Sequence, residues 1–438
     1  MPTHSANAIC TAVSAVLPQR TRELMRLSYV VHAAKQSAAP VVTVVGKYNH
    51  GKSSLLNALL GSDVFAVADR RETVQLQQHM HEGVAWLDAP GLDADVAAGD
   101  DALAEEAIWQ YSDIRLLVHA AKEGELDHAE RALLEQLYHD AQHSQRQTVL
   151  VLTQIDQIPD EAVAQRVMSA LAAQLQTLDD NCPPPSPPWA WLGVSATRYQ
   201  RGTQEGKQLL IEKSGIPSLQ TALSQAKAAV AAARQHEWRT LFAALQTAAE
   251  HHTQQAQADW ADVQQRQQQQ RQAFEHDMAA VLRKVEHDLQ PVLSSAGADR
   301  ALEPDSFANM FKVTAGKQER ARLQVAYSRA CIDIDGVLIR HGVTSLPPAQ
   351  RIEVESLNSV IVAVLGISVK FRDDLRALFS PAGQARLQRE FGRYFSLCEE
   401  QTALQAQLAA REAALAQSQQ AAAMLEQLRP PAVEQAAA

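Results

Sequence analysis

The sequence predicts an α/β domain with a mostly parallel sheet and helices on both faces, followed by an extended α-helical stalk. Three observations lead there. A valine run (Val41, Val42, Val44, Val45) breaks into a glycine-bounded loop, then into a helix-patterned stretch with Leu55, Leu56, Leu59 and Leu60. Further apolar runs recur at 84–87, 114–120, 148–152 and 189–194, with a helical pattern at 125–139 between two of them. From Pro217 a stripe stepping by threes and fours continues without proline until Pro291.

The chain has 438 residues, more than one typical core accommodates, so two domains or a domain plus an extended element are expected. The pattern divides it into an N-terminal helical segment (1–40) packing on the α/β domain or the stalk, the α/β domain (41–216) and the stalk (217–438). A net charge of −10 argues against broad nucleic-acid binding. The four cysteines, Cys10, Cys182, Cys331 and Cys398, are scattered and form no C-x-x-C pair, which suits a reducing cytoplasm better than a zinc or disulfide framework. The first residues, MPTHSANAIC, lack a basic flank before an apolar core, and no apolar run approaches the ~18 residues of a bilayer span. A cytoplasmic protein that does not itself cross a membrane is expected.

Residues 5–35 carry Ile9, Val13, Val16, Leu24, Leu27 and Val31 at helical spacing, with Pro18 set to kink or divide the helix. The loop after the first strand reads Gly46-x-x-x-x-Gly51-Lys52-Ser53 and stands between a strand and a helix. Its glycines let successive N–H groups curl inward, and the helix that follows presents the positive end of its dipole, which together make a phosphate cradle. Lys52 can reach β- and γ-phosphates, and the Ser53 hydroxyl is a hard oxygen ligand for Mg²⁺. The strand at 84–87 ends in Asp88-Ala89-Pro90-Gly91, where Asp88 can hold Mg²⁺ through water and the Gly91 N–H can meet a γ-phosphate. Thr73, in Arg70-Arg71-Glu72-Thr73, is the candidate to close over the metal. The strand at 148–152 runs into Thr153-Gln154-Ile155-Asp156, and the one at 189–194 delivers Ser195 and Ala196. Between these last two lies a proline-rich loop that can be neither helix nor inner strand.

GKYNHGKSSLLNALLG, Thr73, DAPG, TQID and SA, in this order and at these distances, resemble the nucleotide-contacting motifs of Era-like and dynamin-like P-loop GTPases over residues 41–216. The phosphate loop with its trailing SSLLNALLG is most similar to bacterial dynamin-like proteins, although the paired threonines common in their switch region are absent. The resemblance implies a GTPase binding GTP or GDP with Mg²⁺. Gly46, Asn49, His50, Gly51, Lys52, Ser53 and Ser54 would contact phosphate, and Ser53, Thr73 and Asp88 the metal. Asp156 would accept from the guanine N1 and N2 hydrogens, beside Thr153, Gln154, Ser195 and Ala196. Gln154 stands where the family pattern has lysine. Asn49 occupies the position that Era-like members associate with potassium-stimulated hydrolysis, which implies a K⁺ site and places Asn49 with Lys52 and Thr73 among the catalytic candidates. Leu92 stands where Ras-type enzymes carry a water-orienting glutamine, so slow intrinsic turnover is implied, helped by a second chain or a cation.

In the stalk, Trp238, Leu241, Leu245, Ala248, His252, Ala256, Trp260 and Val263 form a stripe that Phe274, Met278, Val281, Val285 and Leu289 resume. One helix of ~70 residues would extend about 100 Å. Residues 387–428, with Leu387, Phe391, Phe395, Leu404 and Leu425, read as a second long helix packing antiparallel on it, coiled-coil fashion. Asp333-Ile334-Asp335-Gly336-Val337-Leu338 matches a phosphatase nucleophile pattern, but Ala326-Tyr327-Ser328-Arg329 ahead of it is no buried strand and the pattern is rejected. The apolar run 360–369, flanked by Lys370 and Arg372, is too short to span; it either buries in the stalk or forms a membrane- or partner-binding tip near 340–380. Two functions remain open. One is a dynamin-like mechanochemical GTPase that self-associates through its nucleotide domain and stalk, with peripheral membrane contact. The other is an Era-like switch binding a protein or ribosomal partner through its helices.

Overall fold

The computed structural model describes residues 5–65, 77–89, 105–158, 160–179, 189–294, 311–354 and 357–431. The expected combination of a mostly parallel α/β domain and a long helical C-terminal region is present. The chain forms two compact units, one of Met1–His252 with Ser418–Ala438, the other of Thr253–Gln417.

In the first unit the chain runs α1 (Ala6–Ser14), α2 (Thr21–Lys35), β1 (Val41–Val45), α3 (Lys52–Leu60), β2 (Gln77–His81), β3 (Val84–Asp88), β4 (Ile114–Ala120), α4 (His128–Ser144), β5 (Gln147–Thr153), α5 (Glu161–Asp179), β6 (Trp191–Gly193), α6 (Ala196–Glu205) and α7 (Gln208–Glu212). The sheet order is β2-β3-β1-β4-β5-β6; β2 is antiparallel to β3 and the other pairs are parallel. A parallel sheet needs cover on both faces, and the alternation along β4 supplies it. Ile114, Leu116 and Val118 join Leu55, Leu56, Ile216 and Leu219 on one side. Leu117 faces Leu134, Leu137 and Leu171 on the other. The order reverses at β1, whose neighbours are β3 and β4, so the carboxyl ends of these strands open the crevice in which such sheets bind ligands.

Pro18 divides the N-terminal helix, as its ring requires: a 3₁₀ turn over Pro18–Arg20 separates α1 from α2. The next helix, α8 (Ile216–Leu293), has 78 residues and continues one short step past Pro291. Ile9, Val13, Leu24 and Leu27 of the N-terminal segment share a core with Trp238, Phe242 and Leu245 of α8 and with Leu425 and Leu428 near the C-terminus. The Trp238 indole donates to the Leu428 carbonyl at 2.7 Å.

Two buried ionic clusters tie this unit together. In the first, Arg234 makes paired contacts to Asp113 at 2.5 and 3.0 Å, and Arg26 makes paired contacts to Glu237 at 2.6 and 2.9 Å. Asp113 also accepts from the Tyr29 hydroxyl and the Val41 N–H, both at 2.9 Å, which locks α2, α8 and the start of β1 to one carboxylate. In the second, Asp140 accepts from Arg115 and Arg146, each at 2.7 Å. Burial alone would raise the Asp140 carboxyl, but Arg146 and Arg115 outweigh it and hold it well below its ordinary 3.8. Arg115, fully buried, is itself pushed down to about 10 by burial despite Asp140.

A carboxyl depressed in the folded state stabilises the fold above its unfolded pKa, and that contribution fades as pH falls through the folded value. We therefore expect the melting temperature of the protein to drop more steeply below pH 4 than that of Asp140→Asn. A parallel pair of pH profiles would show that Asp140 carries no such linkage.

The second unit is helical, with the distal part of α8, α9 (Ala315–Arg340), α10 (Val360–Leu365), α11 (Arg372–Leu378), α12 (Pro381–Ser396) and most of α13 (Glu399–Glu426). Its core joins Phe274, Met278 and Leu282 of α8 to Leu323, Tyr327 and Ile334 of α9 and to Leu387, Phe391 and Phe395 of α12. Phe274 stacks on Phe395 with centroids 4.3 Å apart. The antiparallel pairing is present: Glu286 meets Gln384, Gln270 meets Glu400 and Asp259 meets Arg411. The second long helix is not one piece, however. Leu397 and Cys398 turn back to carbonyls three residues earlier, a tightening that ends α12 before Glu399 and Glu400 open α13. The aspartates of the rejected phosphatase pattern lie within α9, where Asp333 receives Lys284 at 2.8 Å. The run at 360–369 divides: Val360, Ile361 and Val369 enter the core, while Ile367 is 71% exposed.

Candidate nucleotide-binding site

The phosphate loop leaves β1 at Gly46, where a Cβ would stand 2.2 Å from the Val118 carbonyl oxygen; only glycine allows the loop to pass β4 this closely. Asn49 and Gly51 both take left-handed conformations (φ 60° and 81°), so the chain reverses twice before α3 begins at Lys52. The Lys52 ammonium folds back onto the loop and donates to the Gly46 and Lys47 carbonyls at 3.0 and 2.9 Å. Ser54 follows in the first turn of the helix.

The β1–β3 register pairs Val44 with Asp88 and brings that carboxylate under the start of α3. The Ser53 hydroxyl donates to Asp88 Oδ2 at 3.0 Å. Asp88 Oδ1 is buried with no hydrogen-bond partner among the described residues. Burial raises the Asp88 pKa, with Lys52 and Ser53 opposing. A buried carboxylate oxygen left unpaired beside a hydroxyl is the donor set a hard divalent cation takes, so these residues fit Mg²⁺. Thr73, Gly91 and Leu92 lie outside the described residues.

Thr153, Gln154 and Asp156 come off β5 beside the same loop. The Thr153 hydroxyl donates to the His50 carbonyl at 2.5 Å, so its side chain is spent on holding the phosphate loop. Gln154, itself left-handed (φ 59°), donates from its amide to the Asn49 carbonyl at 2.8 Å. It thereby joins the two loops that sequence reasoning had placed on opposite ends of a nucleotide. Asp156 sits half-buried on a 3₁₀ turn, Ile155–Gln157. Ser195 is fully buried and caps α6 by accepting from the Arg198 N–H at 3.0 Å, with Ala196 next to it. The Asn49 side chain is exposed, whereas His50 turns inward and is 5% exposed.

His50 meets two residues the sequence had not marked. His119 from β4 and Glu130 from α4 lie beneath the loop, both buried. Glu130 is legible only as half of a capping box with Asp127, a pattern that announces a helix start rather than a site. Asp127 in turn pairs with Lys47 of the phosphate loop.

Comparison with known proteins agrees with this geometry. A family model described as "50S ribosome-binding GTPase" matches residues 41–154. An uncharacterized protein of Acinetobacter baylyi is 52% identical over 388 residues, 87% of this chain and 88% of its own. GTPase Era of Bordetella petrii is 29% identical over 139 residues, 30% of this chain and 45% of its own, so the chain spans less than half the length of that relative. Among solved structures, Era of Aquifex aeolicus bound to GDP.AlF4- shares 20% identity over 40% of this chain and 55% of that one, with a TM-score of 0.27. An oligomerised bacterial dynamin pair shares 12% identity over 95% of this chain and 75% of that one, with a TM-score of 0.37. The chain thus belongs to one family with the Acinetobacter baylyi protein, and its residues 41–154 form a P-loop GTPase domain.

Proposed function

We propose that the chain binds GTP with Mg²⁺ at this crevice, hydrolyses it slowly alone and faster when nucleotide domains self-associate, and acts at membranes in the manner of a dynamin-like protein. The observation that carries the nucleotide reading is the Ser53–Asp88 pair with its unpartnered buried oxygen, set one helical step from Lys52. Lys52 would move from the Gly46 and Lys47 carbonyls to phosphate oxygens, and the loop N–H groups and the α3 dipole would hold the rest of the charge. Ser53 and Asp88, with Thr73, would hold Mg²⁺, which would supply neutralisation of phosphate charge. Asp156 would orient the guanine edge. Gln154 braces the loop rather than lying along the base.

Self-association is inferred from Leu92, which offers no hydrogen bond to an attacking water, and from the exposed Asn49, available to a cation such as K⁺ or to a facing domain. Membrane contact is inferred from the second unit, where Ile352, Val354, Ile367 and Phe371 are exposed within the stretch 340–380. Isothermal titration with GTP and with ATP, each with Mg²⁺, tests the base assignment. A preference for GTP of at least about 100-fold is expected, since a mismatched carboxylate leaves a polar group unpaired; equal affinities would refute it. Turnover per chain should rise with protein concentration and be higher in K⁺ than in Na⁺, and a flat concentration dependence would remove the self-association. Co-sedimentation with anionic vesicles, with and without nucleotide, separates the membrane reading from an Era-like switch that ignores lipid.

A further inference from the structure

Beneath the phosphate loop, three separate elements deliver His50, His119 and Glu130 to one point, and these residues are 5%, 1% and 3% exposed. His119 Nδ1 lies 2.9 Å and His50 Nδ1 3.3 Å from the same carboxylate oxygen, Glu130 Oε1. The prospective donor atoms all fall within 4.8 Å of one another.

The hydrogen bonds around the cluster fix where its lone pairs point. His119 Nε2 faces the Gly124 carbonyl at 3.1 Å; a carbonyl only accepts, so that nitrogen carries a proton. The His50 ring is likewise held by the Val118 backbone. Glu130 Oε2 accepts from the Asp127 N–H at 3.2 Å, which leaves Oε1 for the two rings. His119 Nδ1 therefore points at that oxygen, and His50 Nδ1 lies close to it without the alignment of a hydrogen bond. A single shared proton can satisfy the His119 contact, but it leaves His50 Nδ1 buried with no hydrogen-bond partner among the described residues. Two protons would bury two imidazolium ions with centroids 5.2 Å apart around one carboxylate, a costly arrangement. A divalent cation takes a lone pair from each of the three groups at once.

We infer that His50, His119 and Glu130 form a structural site for a divalent transition-metal ion of the zinc class. Two imidazoles and a carboxylate are the donor mix for zinc and its neighbours, not for Mg²⁺, which takes oxygen ligands. Zinc bonds of about 2.0–2.2 Å put tetrahedral ligand atoms roughly 3.3 Å apart, so the two imidazole–carboxylate distances of 2.9 and 3.3 Å already lie near that spacing, and the two imidazole nitrogens, within 4.8 Å, would draw together. His119 is already turned by the Gly124 carbonyl on its far side, the outer contact that orients metal-binding imidazoles, and His50 hydrogen-bonds the Val118 backbone. Because His50 immediately precedes Gly51, the ion would pin the phosphate loop from below to β4 and α4. The site is separate from the Ser53–Asp88 pair and does not depend on the nucleotide reading.

The test uses the full chain, without nucleotide. Protein produced with zinc in the medium and then desalted should retain about one zinc per chain by elemental analysis. His119→Gln and Glu130→Gln should each retain at least tenfold less, with folding checked by circular dichroism. Metal-free protein titrated with Co²⁺ alone should develop visible ligand-field bands that saturate at one equivalent, a reading that needs no variant. Wild-type protein that holds no stoichiometric zinc and gives no cobalt bands overturns the site. Full metal retention by both folded variants overturns it equally.

Discussion

Replacing Lys52 by alanine should lower triphosphate turnover by roughly 10²–10³-fold, the cost of deleting one charge-stabilising donor, or abolish binding outright. Little of that loss should come from folding. Lys52 and Lys47 are half-buried, though Gly46 is buried, so water can follow the lost ammonium to the Gly46 and Lys47 carbonyls. The melting temperature in the absence of nucleotide should therefore stay close to wild type. Lys52→Arg keeps the charge but replaces a compact ammonium by a planar fork, and is expected not to restore turnover. Unchanged turnover in Lys52→Ala, measured at saturating nucleotide and again at low nucleotide, would remove the phosphate role from this residue.

Asp113→Ala should have the opposite signature, a large loss of stability without any direct contact with the phosphate loop. The substitution leaves Arg234 buried without its paired partner and takes the acceptor from Tyr29 and Val41, while Arg26 keeps Glu237. Breaking one side of a buried pair costs about 3–5 kcal/mol. At roughly 2–4 °C per kcal/mol for a unit of this size, the melting temperature should fall by about 6–20 °C. If the penalty is the stranded charge, the double variant Asp113→Leu/Arg234→Met should recover part of it. A single variant within 2 °C of wild type would mean that water or a rearranged neighbour takes over the role of the carboxylate.

The strands and the phosphate loop were legible because their signals are local. β4 occupies Ile114–Ala120, the apolar run itself, even though Arg115 and His119 stand inside it. What those two residues do was not legible. Their partners, Asp140 and Glu130, lie 25 and 11 residues away and are chosen by packing, not by spacing. β2, reading QQHMH, is an edge strand whose pairing with β3 supplies an order that its composition does not. α9 was hidden for another reason: Ile332, Ile334, Val337 and Leu338 are as suited to a strand as to a helix, and Gly336 interrupts the pattern. The break at Leu397 was invisible because the apolar stripe keeps its phase across it. Gln154 stood out as a departure from the family pattern, but its bond to Asn49 emerged only with the left-handed backbone at both residues.

The closure of Trp238 onto Leu428, with α1 and α2 in the same core, sets a timetable for synthesis. Arg26 must wait for Glu237, 211 residues later, which at ~5–20 residues per second is roughly 10–40 s. The apolar faces of α1 and α2 wait longer still, until Leu425 and Leu428 have been made. Residues 253–417, continuous in the chain, emerge in between and can complete their own core first. Translated well before their partners, α1 and α2 are thus among the last elements to be finished, and a nascent chain that has not reached residue 418 should expose Ile9, Val13 and Leu24 to holding chaperones for as long as it stays tethered.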